Sequence, residues 1–88
     1  MSAIQAKVVM YATAICPFCI RAEQLLRDRG VSDIVKLPVD SDPELLEEMI
    51  QRTERRTVPQ IFIGETYVGG YDDLFALDQQ GQLLPMLA

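Results

Sequence analysis

The stretch Cys16-Pro17-Phe18-Cys19 decides the fold, because it places the chain's two cysteines between a predicted strand and a predicted helix. Residues 7–11 before it are largely apolar and rich in β-branched side chains, which indicates a strand. Residues 20–29 after it show helical spacing, and a proline suits the first turn of a helix. A thiol at that helix N-terminus loses its proton more easily, since free N–H groups and the helix dipole favour negative charge there. This is the C-x-x-C redox arrangement expected near a βαβ unit.

The composition indicates one domain, residues 1–88, and argues against several classes of function. A net charge of -5 disfavours a nucleic-acid partner bound through a basic patch. No run approaches the ~18 apolar residues of a membrane span, and the first residues lack signal-peptide features, so we expect a cytoplasmic protein with no membrane contact. In a reducing cytoplasm a cysteine pair is more often catalytic or metal-binding than structural. Histidine is absent, and two cysteines are half of a four-cysteine zinc site, so we expect no metal.

The rest of the sequence predicts the order βαβα, then ββα, then a short C-terminal helix. Pro38 favours an edge position for the second strand. Asp42 is suited to cap a helix whose first residue is Pro43. The predicted strands cover 7–11, 34–39, 60–63 and 67–68, and the later helices begin after Asp42, at Asp72 or Asp73, and near Leu83.

Four segments make the chain resemble the glutaredoxins, a family of the thioredoxin superfamily. They are Cys16-Pro17-Phe18-Cys19, Thr57-Val58-Pro59, Gly69-Gly70 and Asp72-Asp73, in the short dithiol form typical of bacteria. The resemblance implies an α/β thioredoxin fold with a four-stranded mixed sheet flanked by helices. It also implies a glutathione-disulfide oxidoreductase that reduces protein disulfides and protein–glutathione mixed disulfides, with glutathione as co-substrate. We expect a monomer, because nothing in the sequence demands an oligomer.

The resemblance assigns different roles to the two cysteines. Cys16 is expected to be the nucleophile and the more exposed of the pair, and Cys19 the buried resolving thiol. Two other interpretations stay open from the residues alone. One is a structural disulfide, although so small a loop constrains the unfolded chain little. The other is a metal site completed by ligands from outside the chain.

A glutathione-binding groove beside the cysteines is also implied by the resemblance. In the family the bond before the proline is cis, and Val58 would offer its backbone N–H and C=O to a substrate like an added strand. The turn into the third helix would hold the γ-glutamyl end of glutathione, with contacts from Tyr71 and Asp72 and with Asp73 as a helix-start acid. An ordinary helix cap accounts for the same acids without a ligand. The implied groove residues are Thr13, Phe18, Thr57, Val58, Pro59, Gly70, Tyr71, Asp72 and Asp73.

Two positions depart from the family pattern. Thr13 stands where glutaredoxins commonly carry a lysine near the thiolate, and Leu46 stands where they carry a polar or basic residue that contacts glutathione. We hypothesise that Arg55 or Arg56 partly supplies the missing positive field for Cys16 and glutathione. The alternative is that the two arginines are a solvated charge pair.

Two functions of other classes remain as alternatives. One is a thioredoxin-like dithiol reductase served by a flavoprotein, against which the 69–73 turn argues, because thioredoxins have no comparable glutathione site. The other is a glutathione-assisted dimer that binds a [2Fe–2S] cluster. Dedicated cluster carriers usually have Cys-Gly-Phe-Ser, so Pro17 and Cys19 argue against it.

Overall fold

Four strands and four helices follow one another along residues 4–88, the part of the chain that a computed structural model describes. Residues 1–3 of the predicted domain lie outside the described residues. The strands are β1 (Val8–Ala12), β2 (Ile34–Pro38), β3 (Gln60–Ile63) and β4 (Thr66–Gly69). The helices are α1 (Pro17–Asp28), α2 (Pro43–Thr53), α3 (Tyr71–Gln79) and α4 (Leu83–Leu87). The predicted order of elements is therefore confirmed.

The strands form a mixed sheet in the order β2-β1-β3-β4. β1 runs parallel to β2 and antiparallel to β3, and β3 forms an antiparallel hairpin with β4. The central strands β1 and β3 consist almost wholly of buried residues. Pro38 lies in the edge strand β2, as predicted, where a proline is tolerated. This is the thioredoxin fold expected from the sequence.

Two separate cores cover the two faces of the sheet, because side chains alternate along each strand. One core holds the inner sides of α1, α3 and α4, and the other holds the inner side of α2. Within residues 4–88 no helix is long and apolar enough to cross a membrane. The main buried members are Met10, Leu26, Leu74, Leu83 and Leu87 in the first core, and Tyr11, Met49 and Phe62 in the second.

The topology gathers three connecting segments at one edge of the sheet. β1 and β4 run in the same direction, since each is antiparallel to β3. α1 and α3 therefore both begin at the edge where those strands end. β3 starts at that same edge, because its first residue Gln60 pairs with Tyr11 near the end of β1. Segments 13–16, 57–59 and 70–71 consequently lie near one another.

The helix starts show one correction to the sequence prediction. α2 begins as expected, with the Asp42 carboxylate accepting the N–H groups of Glu44 and Leu45. α3 begins at Tyr71, one or two residues before the predicted start at Asp72 or Asp73. Gly70 is its N-cap and has no side chain to bind the first turn, so the usual sequence signal is missing.

A bidentate ion pair joins α1 and α3, two of the three helices that pack in the first core. Arg29, which follows α1, donates from Nε and Nη2 to the two carboxylate oxygens of Asp78 in α3, at 2.6 and 2.8 Å. The hydrogen bond from Arg29 is the largest cause of a lowered Asp78 pKa. The fork geometry fixes both the spacing and the orientation of the two helices.

Candidate active site

The cysteine pair lies at the N-terminus of α1 and forms a disulfide. Cys16 is the N-cap residue, with extended backbone angles, and its Sγ accepts the N–H of Cys19 at 3.1 Å. Pro17 occupies the first helical position, where its missing N–H leaves no acceptor unpaired. The Cys16 sulfur thus lies where the helix dipole favours a thiolate.

The two cysteines are almost equally buried. Cys16 is 7 % exposed and Cys19 is 6 % exposed, so the expectation that Cys16 is the more exposed is not met in this disulfide form. The cause is packing, since both belong to the first core and the half-buried Val58 and Tyr71 pack against that core. Exposure therefore does not distinguish the roles of the two cysteines. The assignment of Cys16 as the nucleophile stays a prediction that rests on its position at the start of α1.

A cleft of about 200 Å³ opens beside α1, at the sheet edge where the three segments meet. Eight of the nine predicted groove residues line it, together with Arg55 and Gln60. Thr13 is the exception, because its hydroxyl donates to the carbonyl of Ile15 and it lines a separate depression beside Asp40. The cleft residues predicted from the sequence are Phe18, Thr57, Val58, Pro59, Gly70, Tyr71, Asp72 and Asp73.

A buried amide holds the segment before β3. The Val58–Pro59 bond is cis, as the resemblance implied. Gln60 is 1 % exposed, and its Nε2 donates to the carbonyl and the hydroxyl oxygen of Thr57 at 3.0 and 3.2 Å. Tyr67 on β4 donates its hydroxyl to Oε1 of the same amide. Sequence reasoning missed both residues, although a glutamine opening an apolar strand was the available signal.

The turn into α3 is built on Asp73. Its Oδ2 accepts the N–H of Gly70 at 2.9 Å, which is the helix-start role expected of this acid. Gly69 has φ +115, and a Cβ there would overlap the Asp73 carboxylate, so this position needs glycine. The first N–H groups of α3, at Tyr71 and Asp72, have no intrahelical partner and are suited to an anion. Asp72 itself is exposed.

The structure separates the two arginines that the sequence could not. Arg55 lines the cleft, and its Nη1 lies 3.5 Å from Oδ2 of Asp73, with about half of each side chain exposed. Arg56 is exposed, does not line the cleft, and forms no ion pair within residues 4–88. Leu46 packs half-buried against the second core, so it is a structural residue of α2. Arg55 is therefore the available cation of the cleft.

A polar network lies behind the cleft, on the α2 side of the sheet. The hydroxyl of fully buried Tyr11 donates to Glu48 and accepts from Nη1 of Arg52, the latter at 2.8 Å. Burial, followed by the Glu48 hydrogen bond, raises the pKa of Tyr11, so the phenol stays protonated as the donor. The Arg52 guanidinium lies 3.9 Å from the ring centroid of Phe62, which contacts Tyr67. The network thus reaches the side chains that hold Thr57.

The fold and the cysteine pair together define a class of enzyme. A disulfide-forming C-x-x-C pair at the start of the first helix of a thioredoxin fold is the reacting group of a dithiol thiol–disulfide oxidoreductase.

Comparisons with known proteins place the chain within that class. The Glutaredoxin family model matches residues 8–68. Glutaredoxin from Pseudomonas aeruginosa is 52% identical over 81 residues, which cover 92% of this chain and 95% of that protein. Glutaredoxin 3 from Escherichia coli K12 is 50% identical over 82 residues, covering 93% and 98% of the two chains.

Solved structures agree with the sequence relatives. The dithiolic glutaredoxin 2-C-Grx1 from Trypanosoma brucei brucei has a TM-score of 0.84 and 41% identity, covering 94% of this chain and 88% of that one. The buckwheat glutaredoxin–glutathione complex also has a TM-score of 0.84, with 28% identity and coverage of 93% and 76%. The chain belongs to the glutaredoxin family. It is a glutathione-dependent thiol–disulfide oxidoreductase, and the family match decides against the thioredoxin-like alternative.

Proposed function

We propose that this chain reduces protein–glutathione mixed disulfides and protein disulfides, with Cys16 as the nucleophile and the cleft as the glutathione site. The observation that carries the proposal is that the cleft and the N-terminus of α1 lie at the same edge of the sheet. The structural likeness to a glutaredoxin that was solved with glutathione supports it.

The single-thiol route needs Cys16 alone. Its thiolate attacks the glutathione sulfur of a mixed disulfide, and the protein thiolate leaves and takes up a proton. Cys16 then carries glutathione. The thiolate of a second glutathione attacks that bond, which releases glutathione disulfide and restores the Cys16 thiolate. Both steps benefit from the helix N-terminus, which stabilises the attacking or leaving thiolate.

The dithiol route uses both cysteines to reduce a protein disulfide. Cys16 attacks one sulfur of the substrate and forms a mixed disulfide with it, and the other substrate sulfur leaves as a thiol. Cys19 then attacks Cys16 and releases the reduced protein. The resulting disulfide is the form seen in this structure, and two glutathione molecules reduce it.

Three elements of the cleft would hold glutathione. The backbone of Val58 pairs with the cysteinyl part as an added strand would. The first N–H groups of α3 receive the γ-glutamyl carboxylate, and Asp72 faces its ammonium group. The rings of Phe18 and Tyr71, with centroids 6.2 Å apart, flank the molecule. Arg55 supplies positive charge at the same cleft, in place of the usual lysine.

We place the enzyme in the cytoplasm, where glutathione is abundant. We expect it to act there as a monomer.

The test is reduction of the cysteine–glutathione mixed disulfide, coupled to glutathione reductase, by the wild type and by Cys16→Ser and Cys19→Ser. The wild type and Cys19→Ser should turn over, and Cys16→Ser should be inactive. With a protein disulfide as substrate, Cys19→Ser should lose most activity as well. Loss of mixed-disulfide reduction in Cys19→Ser would contradict the assigned roles. Activity that requires a thioredoxin reductase instead of glutathione would contradict the glutathione site.

A further inference from the structure

An aromatic row continues the cleft along the outer surface of α1 and α3. It consists of Phe18, Tyr71 and Phe75, and we call it the aromatic row. The ring centroids are 6.2 Å apart in the first step and 6.0 Å apart in the second. The first two rings line the cleft, whereas Phe75 lines a second groove, between α1 and α3, which shares Tyr71 with the cleft. The row therefore joins the reacting end of the molecule to a separate groove.

The row leaves large apolar surfaces in water. Phe18 is 51 % exposed and Phe75 is 45 % exposed, although both belong to helices that bury other residues well. Single exposed apolar side chains are ordinary on a protein surface, but contiguous ones beside a reacting group mark a contact surface. The ion pair between Arg29 and Asp78 joins α1 to α3, so the two helices that carry the row are held in register before any partner arrives.

A cation borders this surface. The Arg21 guanidinium lies 5.4 Å from the ring centroid of Phe18, and the side chain lines the α1–α3 groove. Among residues 4–88 it forms no ion pair, in contrast to Arg29 in the same groove. It is therefore free to meet a carboxylate of a bound partner.

We propose that the aromatic row and Arg21 dock the polypeptide part of the substrate, which is the segment flanking its reactive cysteine. The inference rests on the proposed function, in which the glutathione part of the substrate fills the cleft. The polypeptide part must then leave the cleft past Phe18 and Tyr71, the two rings of the row that line it. Two ring-to-ring steps of 6.2 and 6.0 Å match about four residues of extended chain at ~3.3 Å per residue. The preferred substrate segment has an apolar side chain three to four residues from its cysteine, which contacts Phe75. It also has an acidic side chain that pairs with Arg21.

The experiment compares two synthetic peptides, each with a glutathionylated central cysteine and a glutamate beside it. One carries leucine at the third and fourth residues on either side of the cysteine, and the other carries serine there. The wild type should reduce the leucine peptide with a kcat/KM about five- to tenfold higher, as expected for burying roughly half of an aromatic ring. Equal kcat/KM for both peptides would overturn the proposal.

Variants then locate the effect. Phe75→Ser should remove the preference for leucine and leave reduction of the small cysteine–glutathione mixed disulfide unchanged. Leu84→Ser is the matched control, since Leu84 is 55 % exposed on α4 and lines neither groove. Arg21→Gln should lower kcat/KM for both peptides about two- to threefold at low salt only.

The two hypotheses fail in different ways. A leucine preference that persists in Phe75→Ser, or that Leu84→Ser also removes, would overturn the docking surface. A Phe75→Ser protein with weaker activity on the small substrate would overturn it as well, since the row would then act inside the glutathione site. If the wild type does not reduce the small mixed disulfide, the proposed function fails instead.

Discussion

Replacing Arg55 by alanine should weaken the binding of glutathione-containing substrates, whereas replacing Arg56 should not. Arg55 is the cation that lines the cleft, and it also pairs with Asp73 at the start of α3. Its removal takes away an attractive charge and leaves the Asp73 carboxylate unpaired beside an anionic ligand. Both changes act in the same direction. Arg56 carries the same charge on the neighbouring residue, so its alanine variant is matched in net charge.

The size of the effect follows from exposure. The Arg55 side chain is 52% exposed, so its charge is strongly screened by water, and such pairs are worth about 0.2–1 kcal/mol. That range corresponds to a rise in KM of about 1.4-fold to fivefold, with kcat nearly unchanged. Arg55→Lys should keep most of the wild-type affinity because it keeps the charge.

The assay is mixed-disulfide reduction coupled to glutathione reductase, run at 0.05 M and at 1 M salt. The Debye length falls to about 3 Å at 1 M, so the difference between Arg55→Ala and the wild type should nearly vanish there. Equal KM values for Arg55→Ala and Arg56→Ala would refute the argument from position. An Arg55→Ala effect that does not respond to salt would show that the side chain acts by packing and not by charge.

Three other substitutions test the frame of the site. Tyr67→Phe leaves the buried Gln60 oxygen without its donor, which should lower the free energy of unfolding in urea by about 1–3 kcal/mol. It should also raise KM, because the 57–59 segment becomes looser. An unchanged KM would show that the Gln60 amide does not hold that segment. Gly69→Ala forces a Cβ against the Asp73 carboxylate at a positive φ, and should lower the free energy of unfolding by about 1–3 kcal/mol. A variant as stable as the wild type would contradict the turn geometry. Asp78→Asn should lower Tm at pH 7. Because the pKa of Asp78 is lowered in the folded state, the stabilisation by the Arg29–Asp78 ion pair is present above about pH 4 and is lost as the pH falls below it. A Tm difference between the wild type and Asp78→Asn that stays constant down to pH 2 would therefore count against the ion pair.

Short-range signals made most of the fold predictable. A proline after Cys16 and the Asp42-Pro43 pair mark helix starts through contacts within one turn, and both were found where expected. The start of α3 was placed too late because its N-cap is Gly70, which offers no side chain, and the carboxylate that binds the cap N–H lies three residues further on. The four-stranded mixed sheet followed from the family resemblance.

Long-range contacts were not predictable from the pattern. The family resemblance implied that Thr57 and Tyr71 line a groove, but nothing in the sequence links Tyr67 to Gln60 across the β3–β4 hairpin. It also could not choose between Arg55 and its neighbour. That choice is made by the path of the chain after α2, where Glu54 takes a left-handed conformation and redirects the segment. The nearly equal burial of the cysteines likewise depends on long-range packing, since both belong to the first core.

The atom expected to react also caps α1, since Cys16 Sγ accepts the Cys19 N–H. Each chemical state of that sulfur is a different acceptor, because a thiolate binds an N–H group more strongly than a disulfide sulfur does. The amide proton of Cys19 is therefore a built-in reporter of turnover. Its NMR frequency should distinguish the thiolate, the glutathione adduct and the disulfide in an unlabelled active site, and it should follow the enzyme through its cycle without any added probe.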